Sequence, residues 1–239
     1  MKRISFVAAS LLLLSLFIYK PVQAQEGVKI GFRASPLIGW ASVVDDSTKT
    51  KPDGLTTKAG LGFSFDFVFT YGFSDNIAFR TGVNIATKAV SNESVVDLSL
   101  FGGSANQTLV AKTNFTSVEV PIGLKFRSPE IGTGIYIVGH FGLNAEFNVQ
   151  NRTTTDEVDI LLTPPSVVVN SVERRDVDGL ALFTASFVPG AGVDWEFDWG
   201  MLEFALTYHW GLLSFTDPDE FGNLRSRLNY LALNVGYFF

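Results

Sequence analysis

In the stretch AGLGFSFDFVFTYGFSDN, residues 59–76, the side chains Leu61, Phe63, Phe65, Phe67, Phe69 and Tyr71 take every second position. Gly62, Ser64, Asp66 and Thr70 stand between them. Successive side chains of a strand point to opposite faces, so this segment has one apolar face and one face with a carboxylate. A soluble sandwich accepts that pattern with the aromatics inside and Asp66 in water. A membrane barrel accepts it inside out, with the aromatics in lipid and Asp66 in the lumen.

The same period recurs along the chain. Residues 28–40 set Ile30, Phe32, Ala34, Ile38 and Trp40 against Lys29, Arg33 and Ser35. Residues 77–88 set Ile77, Phe79, Val83 and Ile85 against Arg80, Asn84 and Lys88, and residues 115–127 set Val118, Val120, Ile122, Leu124 and Phe126 against Glu119 and Lys125. Residues 134–149 oppose Ile135, Ile137, Phe141, Leu143 and Phe147 to His140, Asn144 and Glu146. Residues 183–197, 201–212 and 226–239 continue the alternation, with Ser186, Asp194, Glu196, Glu203, Thr207, His209, Asn234 and Gly236 on the polar side. Period-two patterning of this consistency reads as strands throughout, and no segment after the N-terminus reads as an amphipathic helix.

The connections decide between the two solvents. GFSDN, SPEIGT and DWG are short and built from turn residues. Residues 41–57, 89–114, 150–180 and 213–225 are longer and rich in Ser, Thr, Asn and Asp. Long and short links alternate, as in outer-membrane barrels with short periplasmic turns and long external loops. The polar face carries Arg33, Arg80 and Lys125 together with Asp66, Glu119, Glu146, Asp194, Glu196 and Glu203, and it reads as a lumenal charge network. The other face is nearly free of charge, where an Arg or Lys at the bilayer midplane would cost ~2–4 kcal/mol. Trp40, Tyr71, Trp195, Tyr208, Trp210 and Tyr237 lie on that face, and those near strand ends fit interfacial girdles. Pro36, Pro121 and Pro189 fall within strands, and each suggests a bulge or local break. The expected fold is all-β: an eight-stranded antiparallel transmembrane up-and-down β-barrel, with an interior filled by side chains.

The N-terminus carries a basic MKR, the apolar run ISFVAASLLLLSLFIY and the small-residue sequence VQAQ. That order reads as a signal peptide over residues 1–24, cleaved after Ala24, followed by a barrel domain over residues 25–239. The chain has 239 residues, no Cys and a net charge of −6. The missing Cys excludes disulfides, thiolate metal sites and a cysteine nucleophile. The mild charge, with no basic stripe, speaks against nucleic acid as a partner.

Several pieces resemble a known family. They are GVKIGFRAS, TKAGLGFSFDF, FSDNIAFRTGVNIATK, SVEVPIGLKF, IYIVGHFGL, VPGAGVDWEF, LEFALTYHWGL and the terminal LALNVGYFF. Together they are similar to the PorT-like small outer-membrane β-barrel proteins of Bacteroidota. The resemblance implies an outer-membrane location, contact with lipid and lipopolysaccharide, and a last strand read by the barrel assembly machinery through Tyr237 and Phe239. Some such proteins serve secretion, so it also implies a secretion-system or surface partner engaged through the loops.

No catalytic, cofactor-binding or metal-binding set emerges. His140 and His209 share the polar face with several carboxylates, but those acids are matched by Lys and Arg on the same face, and no G-x-S-x-G motif is present. Arg174 and Arg175 read as a solvated face of a long loop, with docking of a partner or of lipopolysaccharide phosphates as the alternative. The reading is a non-enzymatic outer-membrane barrel serving envelope integrity or secretion, with a narrow transport pore or a surface lipid-modifying enzyme as alternatives.

Overall fold

The computed structural model describes residues 27–45, 47, 48, 50, 55–97, 106–160, 167–169, 173–176, 181–216 and 224–239. The expected signal segment, residues 1–24, lies outside them. The strands are β1 (Gly27–Asp45), β2 (Leu55–Gly72), β3 (Ile77–Asp97), β4 (Asn106–Arg127), β5 (Ile135–Ile160), β6 (Val167–Val169), β7 (Glu173–Asp176), β8 (Phe183–Phe187), β9 (Gly190–Phe197), β10 (Gly200–Gly211) and β11 (Leu224–Phe238). All pairings are antiparallel, and each strand from β1 to β5 pairs with the next. β5 then pairs with both β8 and β9, these with β10, β10 with β11, and β11 with β1. The sheet therefore closes on itself. β8 and β9 are two halves of one staff, so the ring has eight strands. Among the described residues, β6 and β7 pair with β5 alone.

The ring is inside out relative to a soluble protein. Phe65 is 51 % exposed and its neighbour Asp66 is 1 % exposed. Phe63, Ile85, Ile122, Leu143, Leu206 and Leu233 likewise face outward, while Lys88, Glu119, Asn144, Glu203 and Asn234 are buried within. Closure gives every strand of the ring two neighbours, which is what a backbone needs in a solvent without hydrogen-bonding partners.

The prolines act differently from one another. At Pro189 the staff is interrupted between β8 and β9. The register is unchanged across the gap on both flanks: Leu143 pairs with Phe187 and His140 with Gly190, and Trp210 pairs with Phe187 and Thr207 with Gly190. Val188 still donates to Gly142 O at 2.8 Å, and Pro189 O accepts from Tyr208 N at 2.9 Å. Pro36 and Pro121 produce neither a bulge nor a strand break. Each interrupts the ladder toward one neighbour and stays in register with the other, as Pro36 with Phe63 and Pro121 with Asn144. A missing N–H removes a donor on one side only. The irregularities in register lie elsewhere, between Ala59 and Phe63 of β2 and at two places along β4.

The short turns at residues 73–76, 128–134 and 198–199 share one end of the ring with both ends of the described chain. Gly134 adopts φ +69° in the second of them. At the opposite end the strands run further than their composition suggests. The described residues within 89–114 and 150–180 are strand: β3 and β4 pair out to Asp97 with Asn106, and β5 continues to Ile160 with β6 and β7 along it. A hairpin beyond the lipid has water on both faces, so its strands carry no apolar alternation although the ladder continues.

Phe65→Arg should impair assembly far more than Asp66→Asn. Arg at that outward position costs ~2–4 kcal/mol in the bilayer, whereas Asn keeps the shape of Asp66 and weakens one ion pair. Heat-modifiable migration on a gel reads closure of the ring. A Phe65→Arg variant that folds like wild type beside a failing Asp66→Asn would reverse the faces.

Candidate functional site in the lumen

Inward positions recur every second residue on each strand, so the ring projects polar side chains into a space only side chains can fill. Among the described residues, Lys29, Arg33, Arg80, Lys88, Lys125 and Arg127 enter this space in equal number with Asp66, Glu119, Glu146, Asp194, Glu196 and Glu203. They form three tiers.

Nearest the short turns, Glu196 of β9 takes Lys29 Nζ at 2.8 Å and Arg127 Nη2 at 2.6 Å. The Arg127 guanidinium lies 3.3 Å from the centre of the Tyr136 ring. In the middle tier, Lys125 Nζ reaches Asp194 at 2.7 Å and Glu203 at 2.7 Å, and Arg80 Nη2 donates to Glu203 at 2.6 Å. Arg80 Nη1 also meets His140 Nδ1 at 3.2 Å, and Arg33 Nε donates to Asp66 Oδ2 at 2.7 Å. In the third tier, Lys88 Nζ bridges Glu119 and Glu146 at 2.5 Å each. Glu119 also accepts from Asn144 at 2.7 Å, Ser117 at 2.8 Å, Asn84 at 3.0 Å and the Tyr230 hydroxyl at 3.2 Å. Ser186 Oγ donates to Glu146 at 2.7 Å. The Lys88 ammonium lies 4.4 Å from the centre of the Tyr230 ring, and His209 stacks on that ring at 3.9 Å.

Apolar clusters pack against the tiers. Val68, Met201 and Phe238 pack together between the first tier and the middle one, with the Phe238 ring centre 5.3 Å from the Arg80 guanidinium and 5.6 Å from Lys125 Nζ. Ala41, Val43, Val90, Phe115 and Phe215 pack together on the loop side, with the two Phe rings edge to face at 5.1 Å. Between the tiers lies a cavity of about 60 Å³, lined in part by Arg33, Asp66, Arg80, Asn84, His140, Thr207 and His209. It sits beside Gly123 and Gly142, which pair across β4 and β5 at inward positions. A Cβ on Gly142 would come within 2.4 Å of Ile122 O, so these positions admit no side chain to fill the space.

Every charged residue singled out in the sequence as lumenal lies in this network: Arg33, Asp66, Arg80, Glu119, Lys125, Glu146, Asp194, Glu196 and Glu203. Tyr230 and Phe238 were not singled out and are central to it. Both share the parity of Asn234 and Gly236, and counting by two along β11 reaches them. Tyr237 and Phe239 face outward, with the Tyr237 hydroxyl donating to Trp199 O at 2.8 Å. The side chains of Arg174 and Arg175 lie outside the described residues. Among the described residues no cluster of three or more His, Asp or Glu is arranged to hold a metal ion.

Residues 23–217 match the profile of the outer membrane protein beta-barrel domain family. The chain belongs to this family. It is an outer-membrane β-barrel protein. No curated protein matches it in sequence. Solved structures similar to it include OprG of Pseudomonas aeruginosa, at 12 % identity and TM-score 0.45, covering 90 % of this chain and 97 % of that one. Neisserial surface protein A matches at 12 % identity and TM-score 0.41, over 89 % and 98 %. Ail of Yersinia pestis, solved in complex with a heparin analogue, matches at 14 % identity and TM-score 0.37, over 89 % and 99 %.

Lys88→Met should destabilise the barrel by about 3–5 kcal/mol, because it leaves two buried carboxylates without their shared cation. Tyr230→Phe removes one of several donors to Glu119 and should cost about 1 kcal/mol. Denaturant unfolding of the vesicle-refolded protein, followed by tryptophan fluorescence, measures both. Equal losses would contradict the central place of Lys88.

Proposed function

We propose that the protein works as a closed, non-enzymatic barrel whose body supports the envelope and whose loop end engages a partner. The observation that carries this is the lumen: three tiers of matched ion pairs, interleaved with packed apolar side chains, fill it. Such an interior offers solutes no continuous aqueous path. His140 is engaged with Arg80 and lies 3.9 Å from Glu203, within the ion network. His209 Nε2 meets Thr207 Oγ1 at 3.4 Å, and its ring stacks on Tyr230 at 3.9 Å. These contacts favour structural roles for both histidines.

The long strand extensions of β3, β4 and β5 lie at the loop end, and that end is assigned to the cell exterior because the short turns and both ends of the described chain gather at the other. Outward-facing Tyr237 and Phe239 on the last strand support its recognition by the assembly machinery. The PorT-like resemblance supports a secretion-associated partner at the loop end. A narrow transport pore is the second reading, and the cavity of about 60 Å³ within the lumen favours it.

Planar-bilayer recordings separate the two readings. The refolded protein should add no discrete conductance, and steady channel openings would favour the pore. Orientation is tested independently, because the chain has no native Cys. In whole cells a membrane-impermeant maleimide should label Thr48→Cys and spare Asp75→Cys until the outer membrane is permeabilised. The opposite order would invert the barrel.

A further inference from the structure

We propose that the cavity between the middle and third tiers is a binding site for water, holding a small hydrogen-bonded cluster that joins the two tiers. The cavity of about 60 Å³ is lined in part by Asp66, Arg80, Asn84, His140 and His209. Each of these side chains is buried. Each also carries one polar atom without a hydrogen-bond partner among the described residues: Asp66 Oδ1, Arg80 Nε, Asn84 Oδ1, His140 Nε2 and His209 Nδ1. The same side chains are engaged elsewhere. Asp66 Oδ2 accepts from Arg33, Arg80 Nη2 donates to Glu203, and Asn84 Nδ2 donates to Glu119. His140 Nδ1 meets Arg80, and His209 Nε2 meets Thr207. Buried polar groups find partners, and water serves where a cavity is polar and roomy enough.

The five atoms select a neutral occupant that both donates and accepts. The Asp66 and Asn84 oxygens can only accept, and the Arg80 Nε–H can only donate. Arg80 Nη1 likewise only donates, so His140 Nδ1 accepts from it and the neutral ring carries its proton on Nε2. An anion would face the two oxygens, and a cation would face the two N–H groups. No charge is left over to hold either, because Asp66 is paired with Arg33 at 2.7 Å and Arg80 with Glu203 at 2.6 Å.

The size agrees. A buried water takes roughly 15 Å³ of such space, so the cavity holds about four. At about three hydrogen bonds apiece, four waters in a row share roughly three bonds and keep about six for the protein, close to the five atoms on offer. Those atoms are spread over β2, β3, β5 and β10, which several small molecules meet more readily than one rigid solute. Asp66, Arg80 and His140 belong to the middle tier. Asn84 and His209 touch the third through Glu119 and the Tyr230 ring. The cluster therefore ties one tier to the other.

A crystal structure of the refolded full chain, grown from a lipidic mesophase and resolving neighbouring waters, tests this. It should show about four discrete water peaks, with one at hydrogen-bond distance from each of the five atoms. A cavity without ordered density overturns the proposal, and so does one continuous density from a co-purified solute. A file of peaks running past either tier to an end of the lumen overturns it too. These outcomes need no variant. Asn84→Leu keeps the branched shape and removes an acceptor, so it should lose the peak at that position and keep the others. An unchanged set of peaks in that variant would remove Asn84 from the site and overturn the assignment. In micelles, the amide protons of Gly123 and Gly142, whose backbone lines the cavity, should show nuclear Overhauser cross-peaks to water in the perdeuterated protein. Their absence would mean a dry cavity and overturn the proposal in solution. Conductance is read separately, so a dry cavity would leave the closed-barrel reading standing.

Discussion

The antiparallel pairing of β1 with β11 is the contact on which the rest of the molecule depends. It joins the first and last strands from Gly31 with Phe238 to Asp45 with Leu224. Without it two strand edges would face hydrocarbon, and each unpaired backbone group there costs several kcal/mol. Closure also creates an inside, and eight strands leave that inside only wide enough for side chains. The apolar exterior and the charged interior are both consequences of one seam.

Burying this many charges is costly, and the lumen offsets the cost by multiplicity. Few of its ions rest on one partner: Lys88 and Lys125 each hold two carboxylates, Glu196 and Glu203 each hold two cations, and Glu119 collects neutral donors around its one cation. The pairs also tie distant parts of the chain together, as Lys29 with Glu196 and Arg80 with Glu203. A pair of this kind constrains the ring across its diameter, which the ladder between neighbouring strands cannot do. Buried pairs are a weak source of net stability compared with apolar packing, and their removal one partner at a time is strongly destabilising. The lumen therefore tolerates little piecemeal change.

Much of this was legible from the sequence because lipid imposes a strict period of two. Phe65 and Asp66 fall on opposite faces, and so do Trp195 and Asp194. The parts that were not legible have physical reasons. Residues 89–114 read as a loop because strands in water need no apolar face, and Ser, Thr and Asn serve them as well as Val. Pro36 and Pro121 read as bulges or local breaks, but a proline whose missing donor points to one neighbour leaves the other ladder whole. Tyr230 and Phe238 hide among apolar neighbours, since a large aromatic inside a lumen looks in composition like one outside. The pairing of particular cations with particular acids depends on strand stagger, which alternation does not encode.

Tyr230, Asn234 and Phe238 all arrive on the final strand, and each has a distant counterpart waiting: Glu119, Ser35 with Thr207, and the Val68–Met201 cluster. A slip of β11 by one residue would turn all three into lipid and turn Leu231 and Leu233 inward. A slip by two would keep the faces but carry the Tyr230 hydroxyl about 7 Å from its carboxylate. Backbone ladders alone accept either error, because every register of a β-sheet offers the same hydrogen bonds. The lumen thus works as the wards of a lock, and only one setting of the last strand turns in it.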